Sequence, residues 1–308
     1  MALLLAALWG GTPVAVSFSV DSLPPVATAA IRFTLATAFV FLWARIEQLD
    51  LRLKANQVVP ALLTGFLLFV QIGTFHVGVE MSNSSHGTLL INSFVIWVAI
   101  FGHFTIKDDR LDKPKMLGLT LAALGVALVL LSSRPDVAPK TAQAAQPASS
   151  IFHHNSAPPQ ANNDLPSLVG DLILLFSSIV LGVKIVYTKF ALRVLEPTKL
   201  LFWHDLVGVV LLALWSWSFE TVKLNGFTWP AVLGLLYQGV VVAGFCFVVH
   251  TKLLERHRPS QLSVFAFATP LFGVLAAFLL RGDPISPWLW ASAACVGLGI
   301  VLVNRSGR

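Results

Sequence analysis

Arg32 stands in the middle of "LPPVATAAIRFTLATAFVF", residues 23–41, a run whose other members are apolar or small. A guanidinium is always charged and presents five N–H donors in a planar fork, so the chemistry open to it there is bidentate recognition of a carboxylate or similar anion. Arg32 lies seven residues beyond Pro25, about 10 Å along a helix that rises 1.5 Å per residue. A cation at that depth in apolar surroundings must face a watery cavity, pair with an acid or reach back to an interface. Asp21 and Glu80, at the ends of neighbouring apolar runs, are the acids that pairing would use.

Other groups repeat the problem in milder form. Lys184 is a second cation inside an apolar run, but Lys189 follows five residues later, so it either meets a substrate or snorkels to the boundary. His204 and Asp205 adjoin: one titrates near neutrality and the other is normally ionised, a pairing suited to proton transfer, or else a packing histidine beside a cytoplasm-facing aspartate. His76 and Glu80 are four apart, hence on one helix face, and read as a proton site, an outer gate or a solvated pair. Gln71, Asn92 and Gln238 lie deep in apolar runs and either line a pathway or bond helix to helix. Pro13 and Pro270, with Gly239 and Gly244, are positions where a helix can kink or pack closely.

The elements that must position these groups are membrane helices. The 308 residues are 56% hydrophobic and only 12% charged, about half the charge of an ordinary soluble domain. The apolar material comes in blocks of about 20 residues, the length of helix that crosses the hydrocarbon core. Lipid satisfies no backbone group, and the alternation of barrel strands is absent, so the blocks are read as helices. Ten spans are expected, near 2 to 20, 25 to 44, 58 to 79, 87 to 106, 115 to 133, 167 to 188, 199 to 219, 230 to 251, 260 to 280 and 287 to 303. The first of these can alternatively be read as a signal peptide, though it has no basic leader and no A-x-A site.

The net charge of +6 suggests nucleic acid until the charges are placed. With the amino terminus inside, fifteen Lys and Arg residues, from Arg45 to Arg308, fall on one side, and four (Arg134, Lys140, Lys223 and Arg281) on the other. That asymmetry predicts that both termini are cytoplasmic, and no nucleic-acid patch is left over. Cys246 and Cys295 both fall inside expected spans without CxxC spacing and read as packing residues. Trp43, Trp229 and Trp288 mark span ends.

Residues 134–166, rich in Pro, Ala, Gln, Asn and Ser, read as a flexible outer linker, and the adjacent His153 and His154 within it as inert rather than metal-binding. Five spans precede the linker and five follow, so residues 1–133 and 167–308 are expected to be units of opposite orientation. A shift of 172 residues places Pro25 on Pro197, Arg32 on His204, Thr12 on Lys184 and Gly10 on Gly182. A shift of 174 places "LGVALVL" on "LGIVLVN" and the Asp109-Arg110-Leu111 turn on Asp283-Pro284-Ile285.

"ALWGGTPVAV" in the first span, "LPPVATAAIRF" entering the second, "TPLFGVLAAFLLRGDPIS" across the ninth and "AACVGLGIVLVN" in the last carry a resemblance to the drug/metabolite transporter superfamily, specifically its EamA-type proteins. It covers the whole chain except the linker. Asp109 and Asp283 stand where that family usually has glutamate, the linker is longer, and no proline in the first half matches Pro270. The resemblance implies a ten-helix plasma-membrane carrier, in a bacterium the inner membrane, often an exporter of amino acids or other small metabolites.

The reading that results is an all-α secondary transporter. Its expected substrate-binding residues are Arg32, Lys184, His204, Asn92, Gln71, Gln238 and Thr12; its proton-coupling candidates are His204, Asp205, His76 and Glu80. Its partners are a small-molecule substrate, anionic or zwitterionic, and the lipid bilayer; no cofactor or metal is expected, and the oligomeric state is open, with a monomer sufficient. No GxxxxGK[ST] is present for ATP use, and neither HExxH nor GxSxG for an intramembrane enzyme. A channel, scramblase or receptor is the contrasting class, separated from a carrier by whether flux saturates.

Overall fold

The computed structural model describes residues 2–106, 113–132, 167–256, 269–282 and 287–305, and among them all regular structure is helical. In chain order the α-helices are α1 (Ala2–Gly10), α2 (Thr12–Val20), α3 (Pro25–Ile46), α4 (Ala55–Met81), α5 (Ser84–Asn92), α6 (Phe94–Thr105) and α7 (Lys113–Ser132). They continue with α8 (Leu168–Ala191), α9 (Pro197–Phe219), α10 (Trp229–Leu236), α11 (Phe247–Arg256), α12 (Thr269–Arg281) and α13 (Pro287–Arg305). A 3₁₀ turn occupies Leu224–Gly226, and a π-helical segment, Tyr237–Cys246, joins α10 to α11. Among the described residues six helices are long and apolar enough to cross a membrane: α3, α4, α5 with α6, α8, α9, and α10 through α11.

Every expected span coincides with helix where it is described, but three are not the uniform rods the sequence suggested. The first is interrupted at Gly11, because Pro13 has no N–H to return to the carbonyl of Trp9. The expected span 87–106 begins at Ser84, where Asn83 accepts the His86 N–H as an N-cap, and breaks at Ser93, whose hydroxyl turns back to Leu90 O at 2.7 Å. The span expected at 230–251 runs from Trp229 to Arg256 and widens into the π-helix in its middle. The linker 134–166 with His153 and His154, the turn at Asp109 and that at Asp283 lie outside the described residues.

The core is built on α3, α4, α8 and α9. Proline opens both α3 and α9 at the first helical position, where its missing N–H costs nothing. The two helices run antiparallel, and each carboxylate at the end of one caps the start of the other: Glu220 Oε1 and Oε2 accept from Val26 N (2.9 Å) and Ala27 N (2.7 Å), and Glu47 Oε2 from Thr198 Oγ1 (2.7 Å). Between them Phe33, Ala36, Leu68, Ile72 and Leu212 form an apolar cluster. Close approach of α4 to α9 depends on Gly65 and Gly208: a Cβ on Gly65 would lie 2.5 Å from Val207 Cβ, and one on Gly208 would run into Leu68. Helices α7 and α13 pair with each other, with Ser292 Oγ donating to Gly125 O (2.6 Å). Cys246 and Cys295 are free thiols, the first buried.

Candidate functional site

The breaks in the helices converge on one place. Thr12 and Pro13 follow the first break and Asn92 and Phe94 flank the second; Val242 belongs to the π-helix. All five line a central cavity of about 170 Å³. Helix interruptions inside a membrane are tolerated where the chain borders a cavity and its freed groups find other partners. Here Tyr237 Oη donates to Leu8 O in the last turn of α1 (2.6 Å), while Ser93 Oγ and Trp97 Nε1 both meet Ser178 Oγ (2.8 and 3.2 Å).

Arg32 enters this cavity from the eighth residue of α3 and is 2% exposed. It does not reach back to Asp21 or Glu80. Asp21 pairs instead with Arg281, and Glu80 lies on a different surface. Nε and Nη1 of Arg32 are buried with no hydrogen-bond partner among the described residues, and the guanidinium carbon sits 5.1 Å from the centroid of Phe33. The π-helix presses against this turn of α3: a Cβ on Gly239 would come within 2.9 Å of both Arg32 O and Leu35 Cβ. Leaving charged donors buried and unmatched is costly, which makes Arg32 the candidate for meeting an anion in this cavity.

Lys184 also lines the cavity and is buried, so the snorkelling alternative fails. Its Nζ donates to Gln71 Oε1 (2.9 Å) and lies 5.7 Å from the Phe247 centroid. Gln71 is held in turn by Ser177, whose hydroxyl donates to Gln71 O (2.7 Å). Asn92 lines the cavity with its amide turned to Thr88 O (2.7 Å), whereas Thr12 Oγ1 has no partner among the described residues.

His204 occupies in α9 the position that Arg32 occupies in α3, and it too lines the cavity. Asp205 does not face the cytoplasm: it is fully buried behind His204, with Nδ1 of the imidazole 2.8 Å from its Oδ1. The expected pairing of His76 with Glu80 is not formed. His76 is fully buried, between Ile72 O (3.0 Å to Nδ1) and Gln238 Oε1 (3.3 Å to Nε2), while Glu80 is exposed one turn further out. Sharing a face puts two residues in line but not at one depth. Gln238 likewise bonds helices together, donating to Ser19 Oγ (3.0 Å), and does not line the cavity. Pro270 is the second residue of α12.

Sequence reasoning passed over several cavity groups. Trp9 offers an indole Nε1 that is buried and unpartnered among the described residues, and its ring meets His250 edge-on at 5.0 Å between centroids. His250, Thr88, Thr188, Thr251 and Thr269 also belong to the polar lining. His250 falls at the end of the span expected at 230 to 251 and was not singled out, although α11 continues past it to Arg256. A second missed cluster lies at the other end of α8: Asp171 accepts from Ser82 Oγ (2.5 Å) and meets His86 Nδ1 (2.8 Å). Its members are distant in sequence and carry no motif. Among the described residues no group of three or more His, Cys, Asp or Glu is placed to hold a metal.

A model of the EamA-like transporter family matches residues 1–131 and 168–305. The chain belongs to that family. EamA-like relatives span its full length at low identity: the uncharacterized transporter YoaV of Bacillus subtilis is 21% identical, covering 96% of this chain and 92% of its own, and a protein named as a probable amino-acid metabolite efflux pump in Salmonella typhimurium is 20% identical, covering 100% and 97%. A solved crystal structure superposes with a TM-score of 0.70 at 20% identity over 100% of this chain and 96% of that one, so the two share a fold. The chain is therefore a membrane transporter by family.

Proposed function

We propose that this EamA-like protein is a secondary carrier that binds a small organic anion or zwitterion at Arg32 and moves it by alternating access. The observation that carries the reading is the pair of buried guanidinium nitrogens without partners, opening on a cavity among the interrupted helices. A substrate carboxylate matches that fork bidentately. Thr12 and Trp9 supply further free donors, and Lys184, held by Gln71, adds positive potential. On this reading the chain has ten spans, arranged as inverted units of residues 1–133 and 167–308 joined by the outer linker 134–166. Both termini are cytoplasmic, the membrane is the bacterial inner membrane, and a monomer in the bilayer suffices. The printed name of the Salmonella relative favours export of an amino-acid-like metabolite.

Counterflow into proteoliposomes loaded with a labelled metabolite mixture tests the carrier mechanism. Saturable uptake accelerated by solute on the far side is expected. Flux that rises linearly with concentration and shows no such acceleration identifies a channel and removes the proposal.

A further inference from the structure

We infer that the central cavity selects cargo with one net negative charge, and that Lys184 and Asp205 set this value. An ammonium is admitted where a second acid offsets it, so acidic amino acids and singly charged organic acids form the preferred class. The inference rests on the carboxylate role proposed for Arg32 and narrows the charge of what that residue holds.

Charge buried between helices has to be matched inside the protein or by what binds there. Among the described residues, three side chains that ordinarily carry charge are buried away from the helix ends: Arg32 on α3, Lys184 on α8 and Asp205 on α9. Asp171 and Lys199 are buried too, but in the first turns of α8 and α9. Arg32 and Lys184 line the cavity. Asp205 stands behind His204, within electrostatic reach of both cations, with Oδ1 on the imidazole Nδ1 (2.8 Å) and Oδ2 unpartnered among the described residues. Its carboxylate offsets one cation, and a single positive charge is left over. A proton passed from Lys184 to Asp205 moves charge without altering the total. The rings nearby, His76 on α4, His204 on α9 and His250 on α11, are neutral above a pH of about 6.5. None of the described cavity residues is Asp or Glu.

A molecule with one net negative charge therefore completes the balance. A zwitterion leaves the positive charge unmatched, and a dianion replaces it with a negative one beside Asp205. The wall can seat each part of a singly charged molecule. One carboxylate takes Nε and Nη1 of Arg32. Lys184 uses one of its three N–H bonds on Gln71 Oε1 (2.9 Å) and keeps two for a second carboxylate. An ammonium, where the cargo has one, meets Oδ1 of Asn92, whose amide nitrogen is the atom turned to Thr88 O, and the hydroxyls of Thr12 and Thr269.

The test is calorimetric titration of the purified full-length chain in detergent, at a pH of about 8 so that the histidines are neutral. Four ligands of one carbon skeleton are compared: glutamine, a zwitterion; glutamate and glutaric acid monoamide, both singly negative, with and without an ammonium; and glutarate, a dianion. The two singly negative ligands are expected to bind alike, and each about 10-fold more tightly than glutamine or glutarate, the scale of one uncompensated charge nearby. Lys184→Met removes the leftover charge and should move the preference about 10-fold toward glutamine. Asp205→Asn leaves two cations, keeps an oxygen for His204 Nδ1, and should move it about 10-fold toward glutarate. The wild-type ranking and Asp205→Asn decide the matter if Lys184→Met does not fold. Glutamine or glutarate binding as tightly as the singly negative pair, or a wide gap within that pair, overturns the charge rule; if Arg32→Gln then loses all four, the role of Arg32 stands. If none of the four binds the wild type, or Arg32→Gln binds them unchanged, the role of Arg32 fails and this inference with it.

Discussion

Helices α3 and α9 start alike, cap each other alike and part company at their eighth residues. Each begins at a proline, and each has its first turns seated against a glutamate at the end of the other. Yet α3 places there a cation whose sequence neighbour, Phe33, offers only a ring face, whereas α9 places an imidazole whose neighbour, Asp205, takes its Nδ1. His204 finds a partner for Nδ1 within its own helix, although Oδ2 of that Asp205 is unpartnered among the described residues, and Arg32 is left open. On the proposed reading the two positions yield a single recognition point, and it is the unmatched one, Arg32, that binds. A fully matched pair on both sides would be more stable and would have nothing to offer a ligand.

The largest effect should come from attacking that difference directly. Arg32→Gln should weaken binding of the transported carboxylate about 10- to 100-fold, the equivalent of charge-assisted hydrogen bonds lost, whereas His204→Gln should weaken it less than about 5-fold. Equal losses in calorimetry would break the distinction between the two positions.

Stability should respond with opposite signs. His204→Ala leaves Asp205 buried without its donor and should cost about 1 to 3 kcal/mol in denaturant unfolding. Arg32→Met removes a buried charge that no described residue neutralises by contact, and in the absence of ligand it should raise stability by about 1 kcal/mol. A destabilised Arg32→Met would mean that the arginine is a structural member.

Gly239→Ala probes how α3 is held at the Arg32 turn, since the new methyl meets Arg32 O and Leu35 Cβ at 2.9 Å. It should cost about 1 kcal/mol of overpacking and weaken ligand binding through displaced donors, whereas Gly73→Ala, whose nearest neighbour lies 3.8 Å away, should do neither.

The smallest effect belongs to the cap at the end of α3. Burial raises the Glu47 carboxyl, but hydrogen bonds from Lys252 and Thr198 and the Lys252 charge outweigh it and hold the group below its ordinary value of 4.5. The depressed value means that its contribution is present above pH about 4.5 and fades as pH falls through the folded value. Glu47 is only partly buried, so Glu47→Gln should cost no more than about 1 kcal/mol at neutral pH and nothing in strong acid, measured by thermal unfolding across pH.

Much of this was legible before any coordinates. The apolar blocks located the helices to within a few residues, because hydrocarbon admits little else. Arg32, Lys184, Gln71, Asn92, Thr12 and His204 stood out as polar groups in apolar runs, and all six line the cavity. His76, Gln238 and Asp205 stood out by the same criterion and lie behind the wall, since depth along a helix and facing around it are separate coordinates. Trp9 and His250 went unread because an aromatic ring in an apolar run is unremarkable until its polar nitrogen is found facing inward.

By itself the amino-acid sequence determined that this chain is a bundle of membrane helices and which few polar groups the apolar runs must accommodate, because length, hydropathy and the cost of buried charge are local properties. Only the tertiary structure decided which of those groups are matched and which are not. Asp205 meets His204, Lys184 meets Gln71 on another helix, and Arg32 meets no acid among the described residues, because hydrogen-bond partnership is settled by how separate helices pack and which side chains that packing brings within reach.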